Sequence, residues 1–184
     1  MISDASSPVS QYISFIIAGD EYAVNILRAR EIVEHCVTSR VPMMPACIVG
    51  AMNLRGRVVP VIDLAVKLGL PPTRVSRWTC VLIVETELDG ENTRLGLLID
   101  GVGDVLTLSE DEIEHAPAFG AQVRVDQLLG MAKVGQKLVL LLNIDRILSP
   151  AELFASTTPG PPAPGTPPAL PSSHGAPAGE GDRP

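Results

Sequence analysis

Apolar residues recur at every second position through most of the stretch from about residue 10 to residue 150, the spacing of strands that bury one face. Ile13, Phe15 and Ile17 share a face, Gly19-Asp20-Glu21 offers a reversal, and Tyr22, Val24 and Ile26 return on one face, which predicts a hairpin. Leu27 to His35 reads as a short helix or helical turn, with Leu27, Ile32 and Val33 inward and Arg28, Arg30, Glu31 and Glu34 outward. Val41-Pro42 and Met44-Pro45 then force an extended connection, because proline and the residue before it are both steered away from helix. Ile48 to Leu54 and Arg57 to Ile62 predict a further hairpin, in which Pro60 requires an edge or a bulge because it cannot donate to a ladder. Asp63 is placed to cap a short helix from Leu64 to Leu68, stopped by Gly69 and Pro71-Pro72.

In the second half, Thr79 to Glu85 and Arg94 to Asp100 flank the turn-forming Leu88 to Asn92 and predict another hairpin. Val102 to Leu106 continues the sheet, and Ser109 to Glu112 reads as a helical turn. Val123 to Ala132 and Leu138 to Asn143 form the last strands around Gly135-Gln136, before a brief helix from Asp145 to Leu148. Many short strands with only brief helices predict an all-β barrel arrangement and not a parallel sheet with crossover helices.

The most informative segment is Asn53 to Asp63, Asn-Leu-Arg-Gly-Arg-Val-Val-Pro-Val-Ile-Asp. Gly56 takes positive φ without steric cost, so Asn53 to Gly56 reads as a tight reversal that pushes Arg55 outward between two apolar strands. This segment resembles the hallmark motif of the CheW family, the coupling proteins that join bacterial chemoreceptors to the histidine kinase CheA. Further landmarks follow in family order: Gly19 to Val24, Glu31-Ile32, Leu98 to Val105, His115-Ala116-Pro117 and Leu138 to Ile144, so that the resemblance spans roughly residues 10 to 150.

The resemblance implies two small, five-stranded, SH3-like barrels sharing an apolar interface, and a noncatalytic adaptor that couples methyl-accepting chemoreceptors to CheA. It aligns Asn53, Arg55, Gly56 and the Glu31-Ile32 segment with regions of receptor coupling, with Gly50 permitting close backbone approach. Ala29 stands where the family commonly carries a larger apolar residue. The guanidinium of Arg55 is suited to a carboxylate on the cytoplasmic tip of a receptor; the alternative is an internal ion pair with Glu31 or Glu34. The implied second partner is the regulatory domain of a CheA-like kinase, of the same double-barrel build and meeting the adaptor through barrel ends, with contact residues left unassigned. Other readings are an adaptor of a chemosensory pathway controlling surface motility or development, or a β-barrel ligand carrier or enzyme.

Composition narrows the alternatives. The chain has 184 residues and a formal net charge of −7, so it lacks the clustered cations that duplex binding needs, and nucleic acid is not expected as a partner. Aromatic residues make up 3%, too few for a stacking groove for single strands. Neither a basic leader nor a long apolar run occurs, so a cytoplasmic protein without direct membrane insertion is expected, recruited to receptor arrays by its partners. Cys36, Cys47 and Cys80 read as reduced core thiols and complete no zinc pattern.

Asp100 and Asp104 around Gly101-Val102-Gly103 complete neither a calcium loop nor a dinucleotide loop, since Leu106 occupies the third glycine position. His35, His115 and His174 are too scattered for a catalytic assembly, so no catalytic residue, cofactor or metal is expected. Residues 1 to 9 read as a flexible lead, residues 10 to 150 as the folded domain, and residues 155 to 184 as a disordered tail rich in Pro, Gly and Ala.

Overall fold

The structure is a computed structural model that describes residues 8–35, 38–39, 42–88, 90–115 and 127–155. Ala155, expected to begin the disordered tail, instead ends a helix that starts at Pro150; residues 156–184, Cys36 and the residues around Val123 lie outside the described range. The first hairpin forms as expected from β1 (Val9–Ile17) and β2 (Asp20–Asn25), with Phe15 opposite Tyr22 and the turn at Ala18-Gly19. Val9, expected in the flexible lead, already pairs with Ser109.

The helical reading of Leu27 to His35 is incorrect. After a turn at Ile26 to Arg28, residues Ala29–Glu34 form strand β3. Ala29, Glu31 and Val33 are half-buried, whereas Arg30, Ile32 and Glu34 are exposed, so the period is two. The adjacent apolar pair Ile32-Val33 blurs that period in the sequence, and the ladder to β6 (Cys80–Leu88) decides it. Leu27, expected inward, is 77% exposed at the turn.

β4 (Ile48–Leu54) and β5 (Arg57–Asp63) form the hairpin around Arg55-Gly56. β6 pairs along its whole length with β7 (Glu91–Ile99), and β8 (Gly101–Ser109) returns beside β1. A 3-10 turn at Glu110–Glu112 bends the chain into β9 (Ile113–Glu114), and β10 (Leu128–Val134) pairs with β11 (Lys137–Leu142). Three short helices complete the fold: α1 (Leu64–Lys67), α2 (Ile144–Ile147) and α3 (Pro150–Ala155).

The strands make two mixed sheets, six-stranded β8-β1-β2-β11-β10-β9 and five-stranded β3-β6-β7-β5-β4. Both close on themselves. β9 continues the bent path of β8 and pairs with β10 at the far border of the first sheet. In the second, Ser39 follows β3 and exchanges both backbone bonds with Ala51 of β4 at 2.9 Å. Closure removes the unpaired strand edges that invite indiscriminate association.

Alternation sorts the side chains into three cores. Tyr12, Ala23, Val139 and Leu141 fill the first barrel, and Val59, Val61, Val81 and Ile83 fill the second. The intervening positions, including Tyr22, Val24, Ile62, Leu82, Leu97 and Leu142, face outward from each barrel into one shared apolar interface. Strands buried on both faces explain the unbroken apolar runs at residues 80–84 and 139–142. Each large side chain buried there stabilises by roughly 1.5–3 kcal/mol before entropic losses.

Pro60 sits in an interior strand and not at a sheet edge. Because Ala51 directs its backbone groups to Ser39, its partner Pro60 must point its nitrogen away from β4, toward the side where pairing with β7 starts only at Val61. The missing donor therefore falls where the ladder is locally open.

The two barrels repeat one unit, 80 residues apart. Ile48–Leu54 recurs as Leu128–Val134, and in each the ladder shifts register beside a glycine, Gly50 or Gly130. The hairpin partner ends on a helix cap both times. Asp63 accepts from the backbone of Ala65 and Val66, and Asn143 accepts from Arg146. A Cβ on Gly50 would lie 2.5 Å from the Ser39 carbonyl oxygen, and one on Gly130 would lie 2.7 Å from that of Glu114. Both glycines are required because the closing strand crosses directly over them.

Candidate functional site

The turn between β4 and β5 forms as its sequence predicts. Arg55 and Gly56 occupy its centre with φ of 50° and 82°, both left-handed, which matches the twist of a two-residue hairpin loop. Asn53 Oδ1 accepts from the Gly56 backbone N–H at 2.8 Å and fixes the reversal. Glycine takes this geometry freely, whereas arginine there costs roughly 1–2 kcal/mol. The equivalent position of the second barrel carries Gly135, with φ of 64°.

Arg55 projects from the tip with 80% of its side chain exposed, and its Nη2 donates to Glu31 Oε2 at 2.8 Å. The internal pair named as the alternative is therefore present, with Glu31 as its partner. It does not bury the cation. Glu31 sits on β3, so the pair spans the two borders of the five-stranded sheet close to where Ser39 meets Ala51. Beside it, Ile32 is 41% exposed, contrary to its expected inward position. Val58 lies opposite Asn53 across the hairpin and is 77% exposed. Glu31, Ile32, Asn53, Arg55 and Gly56 thus share one end of the second barrel, where an anchored cation meets apolar side chains. Gly50 is buried, and its position is explained by close backbone approach.

Sequence reading missed three surface features. Val58 has an equivalent in Leu138, also exposed, so both barrels present an apolar residue near the hairpin tip. At the junction of the barrels, Asp145 accepts from Arg28 and from the Thr86 hydroxyl, the latter at 2.7 Å, and Leu27 and Leu129 line the open groove beside them. The repeat offset of 80 was the available signal for the first feature. The second depends on residues far apart in sequence and has no local signature. The third is Trp78, 68% exposed with the Arg77 guanidinium 4.7 Å from its ring centroid.

The reactive groups are otherwise occupied. Cys47 and Cys80 are buried and free, and burial pushes both thiols above their usual range, which leaves them protonated and unreactive. Asp100 accepts from the Ala18 backbone N–H at 2.7 Å and so ties down the first turn. Glu112 accepts from the backbone and hydroxyl of Ser109, bonds that hold its carboxyl below the usual range. Among the described residues no group of three or more His, Cys, Asp or Glu side chains is assembled to hold a metal, and no helix is long and apolar enough to cross a membrane.

A family model described as the CheW-like domain matches residues 11–152. The chain is 32% identical to the chemotaxis protein CheW of Klebsiella aerogenes over 143 residues, covering 78% of this chain and 84% of the relative. It is 33% identical to the CheW of Helicobacter pylori over 141 residues, covering 76% and 82%. Among solved structures, the scaffolding protein TtCheW from Thermoanaerobacter tengcongensis superposes with a TM-score of 0.68 at 26% identity, covering 80% of this chain and 92% of that one.

Proposed function

The chain belongs to the CheW-like domain family, and we propose on that premise that it is a noncatalytic chemotaxis adaptor coupling chemoreceptors to the kinase CheA. The observation that carries the receptor half is Arg55, held in a left-handed turn at the cost of strain and left 80% exposed beside Ile32 and Val58. Its ion pair with Glu31 fixes the direction of the guanidinium, and a receptor carboxylate can displace or share that pair. Ile32 and Val58 supply apolar surface that excludes water around the contact. The occupant is the helical cytoplasmic tip of the receptor, with Glu31, Ile32, Asn53, Arg55 and Gly56 forming the contact and Gly50 supporting it from beneath.

Coupling needs a second surface. The repeat supplies one, because the β10–β11 hairpin has the build of the β4–β5 hairpin but a different tip, with Lys133, Lys137 and the exposed Leu138. That end is available to the regulatory domain of the kinase, and a cytoplasmic adaptor of this kind is drawn to membrane arrays through its partners. Activation follows only when the adaptor binds one kinase state more tightly than the other, since equal binding shifts no population. Calorimetric titration of a receptor cytoplasmic fragment into the wild-type protein and into Arg55→Glu tests the receptor contact. Binding is expected to weaken sharply in the variant with folding intact, and equal affinities would reject Arg55 as a contact.

A further inference from the structure

The loop from Leu70 to Thr79 joins α1 to β6 and is held firmly although most of it faces solvent. Asp63 is buried, and it accepts from both the backbone N–H and the hydroxyl of Thr73 at 2.9 Å. Thr79 Oγ1 accepts from the Ser76 backbone at 2.8 Å, and Ser76 Oγ accepts from that of Trp78 at 3.1 Å. This frame displays Val75, Arg77 and Trp78 and borders an open groove of about 380 Å³ lined by Pro71, Pro72, Thr73, Arg74, Ser76 and Asp100. Rigid prolines, an aromatic ring and cations beside a preformed groove are the features that recognise proline-rich segments, whose extended helix is already ordered before it binds.

We propose that this groove and Trp78 bind the proline-rich segment of the same chain, residues 159–171. Two observations favour this occupant. The first is spacing: Pro161, Pro164 and Pro167 recur every third residue, as do Pro168 and Pro171 in the register of Pro162. A polyproline helix has three residues per turn, so in that conformation the two sets would lie along adjacent ridges, the second interrupted at Gly165, and the third edge would carry only Gly160, Ala163, Thr166 and Ala169. Two ridges beside a small-residue edge give the segment a face that fits a groove.

The second observation is where the chain leaves the fold. α3 is fastened to α1 by Lys67, which donates to the Glu152 carbonyl and lies 3.7 Å from its carboxylate. Ala65, less than one helical turn before Lys67, also lines the groove. The anchor of α3 and the groove thus flank the same short helix, α1. At roughly 3.3 Å per residue, the six residues from Ala155 to Pro161 give the segment a reach of up to about 20 Å from the end of α3.

β5 runs from the Arg55 turn to Asp63, so the groove lies at the other end of that strand, about 20 Å from the receptor contact at 3.3 Å per residue. The proposal thus stands apart from the receptor assignment. Trp78 is the only tryptophan in the chain and reports on the groove directly. The full-length protein is compared with a full-length variant carrying Pro161→Ser, Pro164→Ser and Pro167→Ser. The variant is expected to emit at longer wavelength and to lose protection from acrylamide quenching, and a peptide of residues 159–171 added to it should restore both. Identical emission and quenching in the two proteins would overturn the proposal. It would also fall if dilution of the wild-type protein reproduced the variant spectrum, because the groove would then hold the tail of a second copy. Protection of Trp78 by a receptor fragment alone, equal in both proteins, would assign the groove to that partner instead.

Discussion

Replacing Arg55 by glycine separates what this side chain does for folding from what it does for docking. In the folded protein, glycine relieves the left-handed strain at φ of 50°, worth roughly 1–2 kcal/mol. Against this, the more flexible unfolded chain costs about 0.4–1 kcal/mol. Loss of the Glu31 pair, whose side chains are 80% and 22% exposed, costs about 0–1 kcal/mol in a solvent-screened setting. These effects nearly cancel, so Arg55→Gly is expected to stay within about 1 kcal/mol of wild type, a shift of only a few degrees in melting temperature. Gly135 at the equivalent turn shows that this backbone accepts glycine.

Docking has no such compensation. A charge-assisted hydrogen bond to a receptor carboxylate is worth about 1.5–3 kcal/mol, so receptor affinity should fall roughly 10- to 150-fold. Thermal melts and calorimetry on the same samples read the two quantities. A marked loss of stability with receptor affinity retained would refute the reasoning, because it would make Arg55 a structural residue fastened to Glu31.

Gly130→Ala places a methyl group 2.6 Å from Ile113 Cγ2 and 2.7 Å from the Glu114 carbonyl oxygen, so β9 must shift and urea denaturation should show a loss of about 1–3 kcal/mol; unchanged stability would mean that closure of the first barrel does not depend on this crossing. Glu85 accepts from Arg30, and with help from Arg94 this holds its carboxyl below the ordinary value of 4.5. A lowered carboxyl contributes stability that is complete above that value and is lost as pH falls through the folded-state value. The gap in melting temperature between wild type and Glu85→Gln should therefore narrow on acidification below 4.5, and a gap constant into the acid range would exclude the assigned pairing.

Most of the fold was legible in the sequence because alternation, turn chemistry and caps agree locally. Asp63 before Leu64, Gly56 in its turn, and the facing runs at residues 79–85 and 94–100 each carry their own signal, although Leu88, Glu91 and Asn92, read as turn, extend the paired strands. β3 did not, because Ile32 and Val33 are adjacent and only the ladder to β6 decides which of them faces inward. Pro60 misled for a related reason, since where β7 begins to pair is a tertiary fact. At the candidate site, Arg55 was visible from Gly56 alone, but the choice of Glu31 as its partner over Glu34 followed from the strand parity of β3. The contribution of Val58 became apparent only with its exposure, as an isolated valine in an apolar run reads as core.

Coupling itself is tested most directly by reconstituting CheA with a receptor cytoplasmic fragment and measuring kinase autophosphorylation with and without this protein, alongside formation of the three-component complex. Adding the protein is predicted to assemble the complex and to make autophosphorylation depend on the receptor. A kinase rate indifferent to the receptor, with no complex recovered on addition of the intact protein, would contradict the account.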